Sequence, residues 1–193
     1  MNYPRYQNVK LTPVWALIAL NFLVFIATTI APELILRLGL QPASFPDQPW
    51  TILTSLFVHS GLWHIFANML TLYFFGRYLS ILLGRNRLLI VYFCGGLAGN
   101  ALFLLLAPPA YIAVGASGAI FALGGALAVM RPKLRVFIFP IPVPLPLWAA
   151  VIGSGLLLSF LPGIAWQAHL GGLAVGLLSG YFFRKKEHLI PGR

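Results

Sequence analysis

Long apolar runs alternate with short polar, charged or proline-rich segments along the whole chain. Six of these runs meet or approach the length of roughly 17 to 25 mainly apolar residues that a membrane-crossing helix needs. They lie near residues 12–31, 62–83, 87–107, 115–130, 145–162 and 166–183. The pattern predicts an all-α, polytopic membrane protein, in which residues 1–193 form a single six-helix transmembrane domain with short tails at both ends.

Composition supports this prediction and excludes other classes. The chain is 60% hydrophobic and only 8% charged, whereas a soluble domain carries roughly a quarter charged residues. The single cysteine, Cys94, cannot form an intrachain disulfide, and we interpret it as a small buried hydrophobe. The net charge of +10 comes from basic residues in short, dispersed clusters, so no nucleic-acid partner is expected.

The positions of lysine and arginine predict the orientation, because cytoplasmic loops hold the excess of positive charge. With six spans and a cytoplasmic N-terminus, twelve of the 13 basic residues fall on the cytoplasmic side, and only Arg37 falls outside. Reversing the topology or removing one span would scatter this distribution. We therefore expect both termini to be cytoplasmic. The twelve are Arg5, Lys10, Arg77, Arg85, Arg87, Arg131, Lys133, Arg135, Arg184, Lys185, Lys186 and Arg193.

The segment 32–60 is the longest external connection, and it mixes charged side chains with apolar ones. We expect this loop to rest on the membrane. Trp50 is interpreted as an interfacial anchor, since its ring is apolar and its indole N–H needs a polar partner.

Carboxylates are informative because none of the predicted spans contains one. Glu33 and Asp47 fall in the external loop, and Glu187 falls in the cytoplasmic tail. This excludes a protease that uses paired intramembrane aspartates, and the His-Glu-x-x-His motif of zinc proteases is also missing. Proton-coupled transport through buried acids is disfavoured. No metal site is expected.

Four polar groups on three predicted helices reach a similar depth on the external side. His64 and Asn68 are four residues apart near the start of the second span, so they share a helix face. Ser117 opens the fourth span, and His169 lies about one turn into the sixth. Each of these groups costs free energy in lipid, and none has an evident acidic partner.

This set matches the needs of nucleophilic catalysis, which are a hydroxyl, a base and donors for an oxyanion. Ser117 and His169 supply the first two. The free N–H groups at the start of the fourth helix, with the side chains of His64 and Asn68, can stabilise a tetrahedral intermediate. Without a carboxylate the pair is a dyad oriented by packing. Because disabling the aspartate of a soluble serine protease costs about 10⁴ in kcat, we expect slow turnover.

Each element also has a simpler interpretation. A serine flanked by glycines is common where membrane helices approach closely, and an intramembrane histidine can merely bridge two helices. Asn100, deeper on the third span, is interpreted as structural. His59 and His188 are interpreted as solvated or interfacial.

Two stripes of small residues recur every four positions, one after His169 and one after Ser117. If the stripes face each other, the fourth and sixth helices pack with close backbones, and His169 comes within hydrogen-bonding reach of Ser117. Generic packing against any neighbour is the alternative. The stripes are Gly172, Gly176 and Gly180, and Gly118, Ala122 and Ala126.

Three motifs in this order resemble the rhomboid family of intramembrane serine proteases, and the resemblance covers nearly all six spans. They are His64-Ile65-Phe66-Ala67-Asn68, Gly115-Ala116-Ser117-Gly118, and Ala168-His169-Leu170-Gly171-Gly172 continuing to Gly176.

The resemblance implies that Ser117 is the nucleophile and His169 the general base. It also implies an oxyanion hole made by the Ser117 backbone N–H and the side chains of His64 and Asn68. Gly115, Gly118, Phe121, Gly172 and Gly176 would support this site. No cofactor is implied.

The implied reaction is cleavage of a partner's transmembrane segment near its external end, with the fifth helix and its neighbouring loop gating lateral entry. The partners are then transmembrane segments of substrate proteins and membrane lipid, and the expected location is the cytoplasmic membrane.

Three positions depart from the pattern of well-known bacterial members. The Trp-Arg of the first loop is Trp50-Thr51 here, a Glu-x-Arg after the second span is Ser80-Ile81-Leu82, and the tyrosine often found beneath the histidine is Phe121. Phe121 can still pack on His169 but cannot donate a hydrogen bond. The other two changes bear on how the first loop is anchored, and none removes a reacting group.

Two alternatives stay open at this point. A noncatalytic rhomboid-like protein that binds membrane helices shares the fold but usually lacks the dyad. A small transporter would need a polar path through both halves of the membrane, whereas the polar residues here cluster on the external side.

Overall fold

The computed structural model describes residues 12–137 and 143–187, and most of these residues are helical. The two tails, and residues 138–142 of the predicted proline-rich connection, lie outside the described residues. The helices are α1 (Thr12–Ile30), α2 (Leu34–Leu38), α3 (Thr51–Thr54), α4 (Leu62–Leu83), α5 (Arg85–Leu106), α6 (Ser117–Met130), α7 (Leu147–Ser159) and α8 (Trp166–Glu187). A 3-10 turn, Ser55–Phe57, follows α3, and an antiparallel pair joins β1 (Arg135–Val136) to β2 (Leu145–Pro146).

A helix occupies each of the six segments that hydropathy predicts, which confirms an all-α membrane bundle. In the described part of the chain, α1, α4 and α5 are long and apolar enough to cross a membrane, by length and composition alone. Helices α6 and α7 are shorter than predicted. Gly115 has a φ of +122°, which no α-helix contains, so α6 begins only at Ser117. At the other end of α7, Pro162 disfavours helix at the residue before it, and the helix ends at Ser159.

Helix α6 forms the centre of the bundle. Its 14 residues span about 21 Å, against about 33 Å for the 22 residues of α4 or α5. Most of its side chains are buried, because α4, α5, α7 and α8 all pack around it. A helix enclosed by other helices does not have to match the thickness of the bilayer. Its start can therefore lie deeper than the ends of its neighbours.

The two small-residue stripes face each other, as predicted. In the structure their residues pair one to one. A Cβ added at Gly172, Gly176 or Gly180 would overlap the backbone of Gly118, Ala122 or Ala126 respectively. Because the backbones approach this closely, α8 packs more extensively on α6 than on any other described element. This packing fixes the height of α8 relative to α6.

The loop 32–60 is tied to the segment that precedes α6. Leu40 and Ala113 exchange both backbone hydrogen bonds, at 3.0 and 2.8 Å. The Asn100 side chain on α5 donates to the Ile52 carbonyl at 2.7 Å and to the Ser55 hydroxyl at 2.9 Å. These contacts confirm the structural role expected for Asn100. They hold the loop against α5 and the start of α6.

The departures in the first loop are accommodated by local hydrogen bonds. Trp50 is half-exposed, and its indole N–H donates to the Arg37 carbonyl at 2.9 Å. The Thr51 hydroxyl donates to the Gln48 carbonyl at 2.6 Å.

Ser80 is buried on α4, and its hydroxyl has no hydrogen-bond partner among the described residues.

The expectation that Cys94 is buried is wrong. Its side chain is exposed on α5. In a membrane bundle the outward face of a helix is as apolar as the inward face, so hydropathy does not distinguish the two positions.

Candidate active site

Ser117 and His169 lie side by side at the N-terminal end of α6, where it packs on α8, as the facing stripes predict. The Ser117 hydroxyl and the His169 Nε2 are 2.8 Å apart, although 52 residues separate them in the chain. This is the hydrogen-bond length expected for a hydroxyl nucleophile and its base. Ser117 is half-buried and His169 is 6% exposed, so the pair is largely shielded.

The backbone before α6 sets the position of Ser117. Gly115 adopts a positive φ that favours glycine, and its N–H donates to the Ser55 carbonyl at 2.9 Å. Ala116, the residue that precedes the helix, has no side-chain hydrogen bond to cap it. The N–H groups of the first turn have no acceptor within the helix, and the positive end of the helix dipole lies at Ser117.

Apart from the hydrogen bond to Ser117, packing orients the His169 ring. Its centroid is 4.6 Å from that of Phe121, with an angle of 31° between the planes, so Phe121 packs on the imidazole as predicted. The second ring nitrogen, Nδ1, is buried and has no hydrogen-bond partner among the described residues. The carboxylate that orients the histidine of a soluble serine protease is therefore missing in this part of the chain.

His64 lies next to the turn that carries Ser117. The Ser60 hydroxyl is 3.0 Å from His64 Nδ1, and the Ser60 backbone N–H points at the same nitrogen at 3.5 Å. An acceptor role for Nδ1 leaves the proton on Nε2. A Cβ on Gly115 would stand 2.8 Å from His64 Nε2 and 3.7 Å from the Ser117 hydroxyl oxygen. The glycine thus leaves open the space between a ring donor and the serine.

Asn68 lies one turn further along α4 and is buried. Its side-chain amide donates to the backbone carbonyl of His64 at 2.8 Å. The two residues share a helix face as predicted. The amide nitrogen contacts its own helix in this state, so a role as an oxyanion donor stays a prediction.

The expectation that His59 is solvated or interfacial is wrong. The side chain is 2% exposed, and its ring meets that of His64 edge-on with the centroids 5.0 Å apart. Burial, and secondarily the neighbouring His64, lowers the pKa of His59 to about 4. The sequence contains a signal for this burial, because His59 directly follows the apolar stretch 56–58. In the structure, Leu56 and Val58 of that stretch are buried as well.

No group of three or more histidine, cysteine, aspartate or glutamate side chains that could hold a metal ion occurs within residues 12–137 and 143–187. The chemistry available at the site is therefore that of a hydroxyl, an imidazole and hydrogen-bond donors. In an acyl transfer these supply the nucleophile, the base and the oxyanion stabilisation.

Comparison with known proteins gives the family. The Rhomboid domain model matches residues 46–186, which include every site residue described above. The chain belongs to the rhomboid family. As a rhomboid with long apolar helices it is a multi-pass membrane protein, and membership supports an intramembrane protease-type function.

Relatives include active and inactive members. Rhomboid protein 1, mitochondrial, of Saccharomyces cerevisiae is 29% identical over 94% of this chain and 57% of its own length. Rhomboid protease GluP of Bacillus subtilis is 29% identical over 92% of this chain and 35% of its own. Inactive RHOMBOID-like protein 8 of Arabidopsis thaliana is 33% identical over 64% of this chain and 35% of its own. The chain thus spans between about a third and three-fifths of the length of these relatives.

Proposed function

We propose that this rhomboid is a serine endopeptidase that uses Ser117 and His169 to hydrolyse a peptide bond in or near the transmembrane segment of other membrane proteins. The observation that carries the proposal is the hydrogen bond of 2.8 Å between the Ser117 hydroxyl and His169 Nε2. Family membership alone would not carry it, because relatives include a protein named inactive.

In the first step, His169 Nε2 takes the hydroxyl proton as Ser117 Oγ attacks the carbonyl carbon of the scissile bond. The carbonyl oxygen becomes an oxyanion. The Ser117 backbone N–H and the His64 Nε2–H would donate to it, which the uncapped start of α6 and the open space beside Gly115 support. Asn68 would join them if its amide turns from the His64 carbonyl when substrate binds.

The tetrahedral intermediate then collapses. His169 gives its proton to the leaving amine, the C–N bond breaks, and the substrate's acyl group stays on Ser117 Oγ. A water molecule, deprotonated by His169, hydrolyses this ester and restores the hydroxyl. Because His169 Nδ1 has no hydrogen-bond partner in the described residues, no acceptor among them stabilises the second nitrogen of the imidazolium during either step. This supports the expectation of slow turnover.

A protease among lipids needs a route for water, and the short α6 supports one. The helix is about 12 Å shorter than α4 or α5, so its uncapped start can lie below the membrane surface at the base of a depression open to the external side. A substrate helix must unwind there, since its own hydrogen bonds shield its carbonyls. Helix-breaking residues near the scissile bond should therefore favour cleavage.

The location proposed is the cytoplasmic membrane, with both termini inside and the dyad toward the external side. The distribution of arginine and lysine supports this orientation, although Arg5, Lys10 and Arg193 lie outside the described residues. Helix α7 packs on α6 and contacts α8 much less. It is the described helix best placed to swing aside for lateral entry of a substrate, together with the loop before it.

Labelling with a fluorophosphonate in detergent, followed by mapping of the modified residue, tests the proposal. Label is expected on Ser117 and should vanish in Ser117→Ala and in His169→Ala. Ser154→Ala is the matched control, because Ser154 lies in α7 and donates to the Val151 carbonyl at 3.1 Å. Label that persists in Ser117→Ala would end the assignment.

Cleavage of a model transmembrane substrate tests the reaction itself. Activity should be lost in Ser117→Ala and fall by roughly 10²–10³ in Asn68→Ala if Asn68 donates to the oxyanion. The name of the inactive Arabidopsis relative favours one rival, a noncatalytic helix-binding protein. A folded protein that takes no label and cleaves no substrate would overturn the protease assignment and favour that rival.

A further inference from the structure

An apolar groove runs along the outside of the bundle between α1 and α4, away from the dyad. Its volume is about 210 Å³. Ile18 and Met69 form its buried floor, and Trp15, Phe22, Phe66 and Leu70 form exposed walls. Almost no polar surface lines it. Its floor is buried while its walls are exposed, so the groove is a recess between the two helices.

One end of the groove is polar and cationic. The Trp15 ring packs at 5.5 Å from that of Tyr73, which also lines the groove. The Tyr73 hydroxyl accepts a hydrogen bond from Arg77 Nη1 at 3.3 Å. Arg77 is exposed and lies one turn beyond Tyr73 on the same face of α4. An arginine guanidinium, an indole and a phenol therefore meet where the apolar channel ends.

Among the side chains that the structure describes, no acid lies near this end of the groove. The two acidic side chains that the structure describes, Glu33 and Asp47, lie in the loop at the opposite end of α1. Arg77 is also placed within α4, about six residues before the helix ends, and not in a loop. A guanidinium at this depth is costly in lipid unless it reaches the interface or meets an anion.

We propose that the α1–α4 groove binds an anionic phospholipid, with one acyl chain against Ile18 and Met69 and the headgroup phosphate on Arg77. The geometry fits this ligand class because an apolar channel leads directly to a single cationic end. Arginine can donate two parallel hydrogen bonds to phosphate, and tryptophan and tyrosine are residue types enriched near lipid headgroups. Under the charge-based orientation, the site faces the cytoplasmic leaflet, where anionic lipids are enriched.

Quenching of Trp15 by brominated lipid tests the proposal locally. The probe protein keeps Trp15, and phenylalanine replaces the other four tryptophans, which are Trp50, Trp63, Trp148 and Trp166. All four are exposed, so the replacements leave the core unchanged. Its emission is measured in phosphatidylcholine vesicles that contain increasing amounts of brominated phosphatidylglycerol or brominated phosphatidylcholine. The ratio of the two apparent binding constants gives the preference for the anionic headgroup.

We expect phosphatidylglycerol to be preferred by about fivefold, which is equivalent to about 1 kcal/mol for one basic residue near a membrane surface. Arg77→Gln should abolish the preference, Arg77→Lys should retain most of it, and high salt should weaken it. Arg85→Gln is the matched control, because Arg85 is exposed at the start of α5 and, unlike Arg77, does not hydrogen-bond to a residue that lines the groove. It should leave the preference unchanged.

Two results would overturn the proposal. Equal quenching by both lipids in the protein with Arg77 intact would mean that only unspecific boundary lipid fills the groove. Loss of quenching on addition of a stoichiometric transmembrane peptide, with no dependence on headgroup charge, would assign the groove to a helix instead. Because Trp15 reports binding and not proteolysis, neither result depends on whether Ser117 is catalytic.

Discussion

Replacing Gly172 by alanine perturbs the contact that brings His169 to Ser117. The added Cβ would overlap the Gly118 carbonyl in the backbone of α6, which has no flexible side chain to yield. The two helices would have to separate by roughly 1 Å to restore ordinary packing. Overpacking of this kind costs about 1–3 kcal/mol of stability. A displacement of that size at a catalytic pair costs about 10²-fold in rate.

The assay compares glycine-to-alanine variants at Gly172, Gly180 and Gly153 by thermal unfolding in detergent and by the rate of fluorophosphonate labelling at Ser117. Gly180→Ala, whose Cβ would stand 2.6 Å from the Ala126 carbonyl, should destabilise the bundle similarly but slow labelling less, because Gly180 lies eleven residues beyond His169. Gly153→Ala on α7 meets nothing within 4 Å, and alanine should stabilise that helix by about 0.5–1 kcal/mol. Equal labelling rates and equal unfolding temperatures in Gly172→Ala and Gly153→Ala would refute this prediction.

Three further predictions concern the residues around the dyad. Unfolded His59 takes up a proton near its usual pKa of 6.5 and the folded form only near 4, so stability is full above pH 6.5 and falls as the pH drops toward 4. The loss should reach about 2 kcal/mol at pH 5, and a melting temperature independent of pH in this range, or the same slope in His59→Gln, would contradict it. Asn100→Leu leaves the partly buried Ile52 carbonyl and the buried Ser55 hydroxyl without their donor, at a cost of about 1–3 kcal/mol, and should expose the loop 32–60 to limited proteolysis; an uncut loop would count against the anchoring role. Phe121→Ala should slow labelling of Ser117 more than Phe121→Tyr, which keeps the ring on His169, and equal rates would show that stacking does not orient the imidazole.

Several structural features were predictable because membrane insertion imposes a strong pattern. The runs near 62–83 and 166–183 correspond closely to α4 and α8, since a long apolar stretch must be helical to satisfy its backbone in lipid. The four-residue spacing of Gly172, Gly176 and Gly180 predicted the facing of α6 and α8, because only small residues at this period allow backbones to touch. From that facing, the proximity of Ser117 and His169 followed.

Other features could not be read from the chain. Cys94 was predicted to be buried but is exposed, because lipid and the protein interior are equally apolar and hydropathy does not distinguish them. His59 was predicted to be solvated or interfacial but is buried, because the burial of a loop residue depends on elements far away in the chain. The shortness of α6 depends on the positive φ of Gly115, and this in turn depends on the hydrogen bond of its N–H to Ser55 in a remote loop.

The sequence by itself determined which segments become helices, since this follows from hydropathy and from the cost of polar backbone in lipid. Its motifs indicated the rhomboid family, and its small-residue stripes predicted contact between α6 and α8, with generic packing as the alternative. Only the tertiary structure decided the direction of each side chain at the site. It turned the Asn68 amide to the His64 carbonyl, left His169 Nδ1 without a partner in the described residues, and opened the groove between α1 and α4. These outcomes depend on sub-ångström packing between segments far apart in the chain, and no local pattern encodes that.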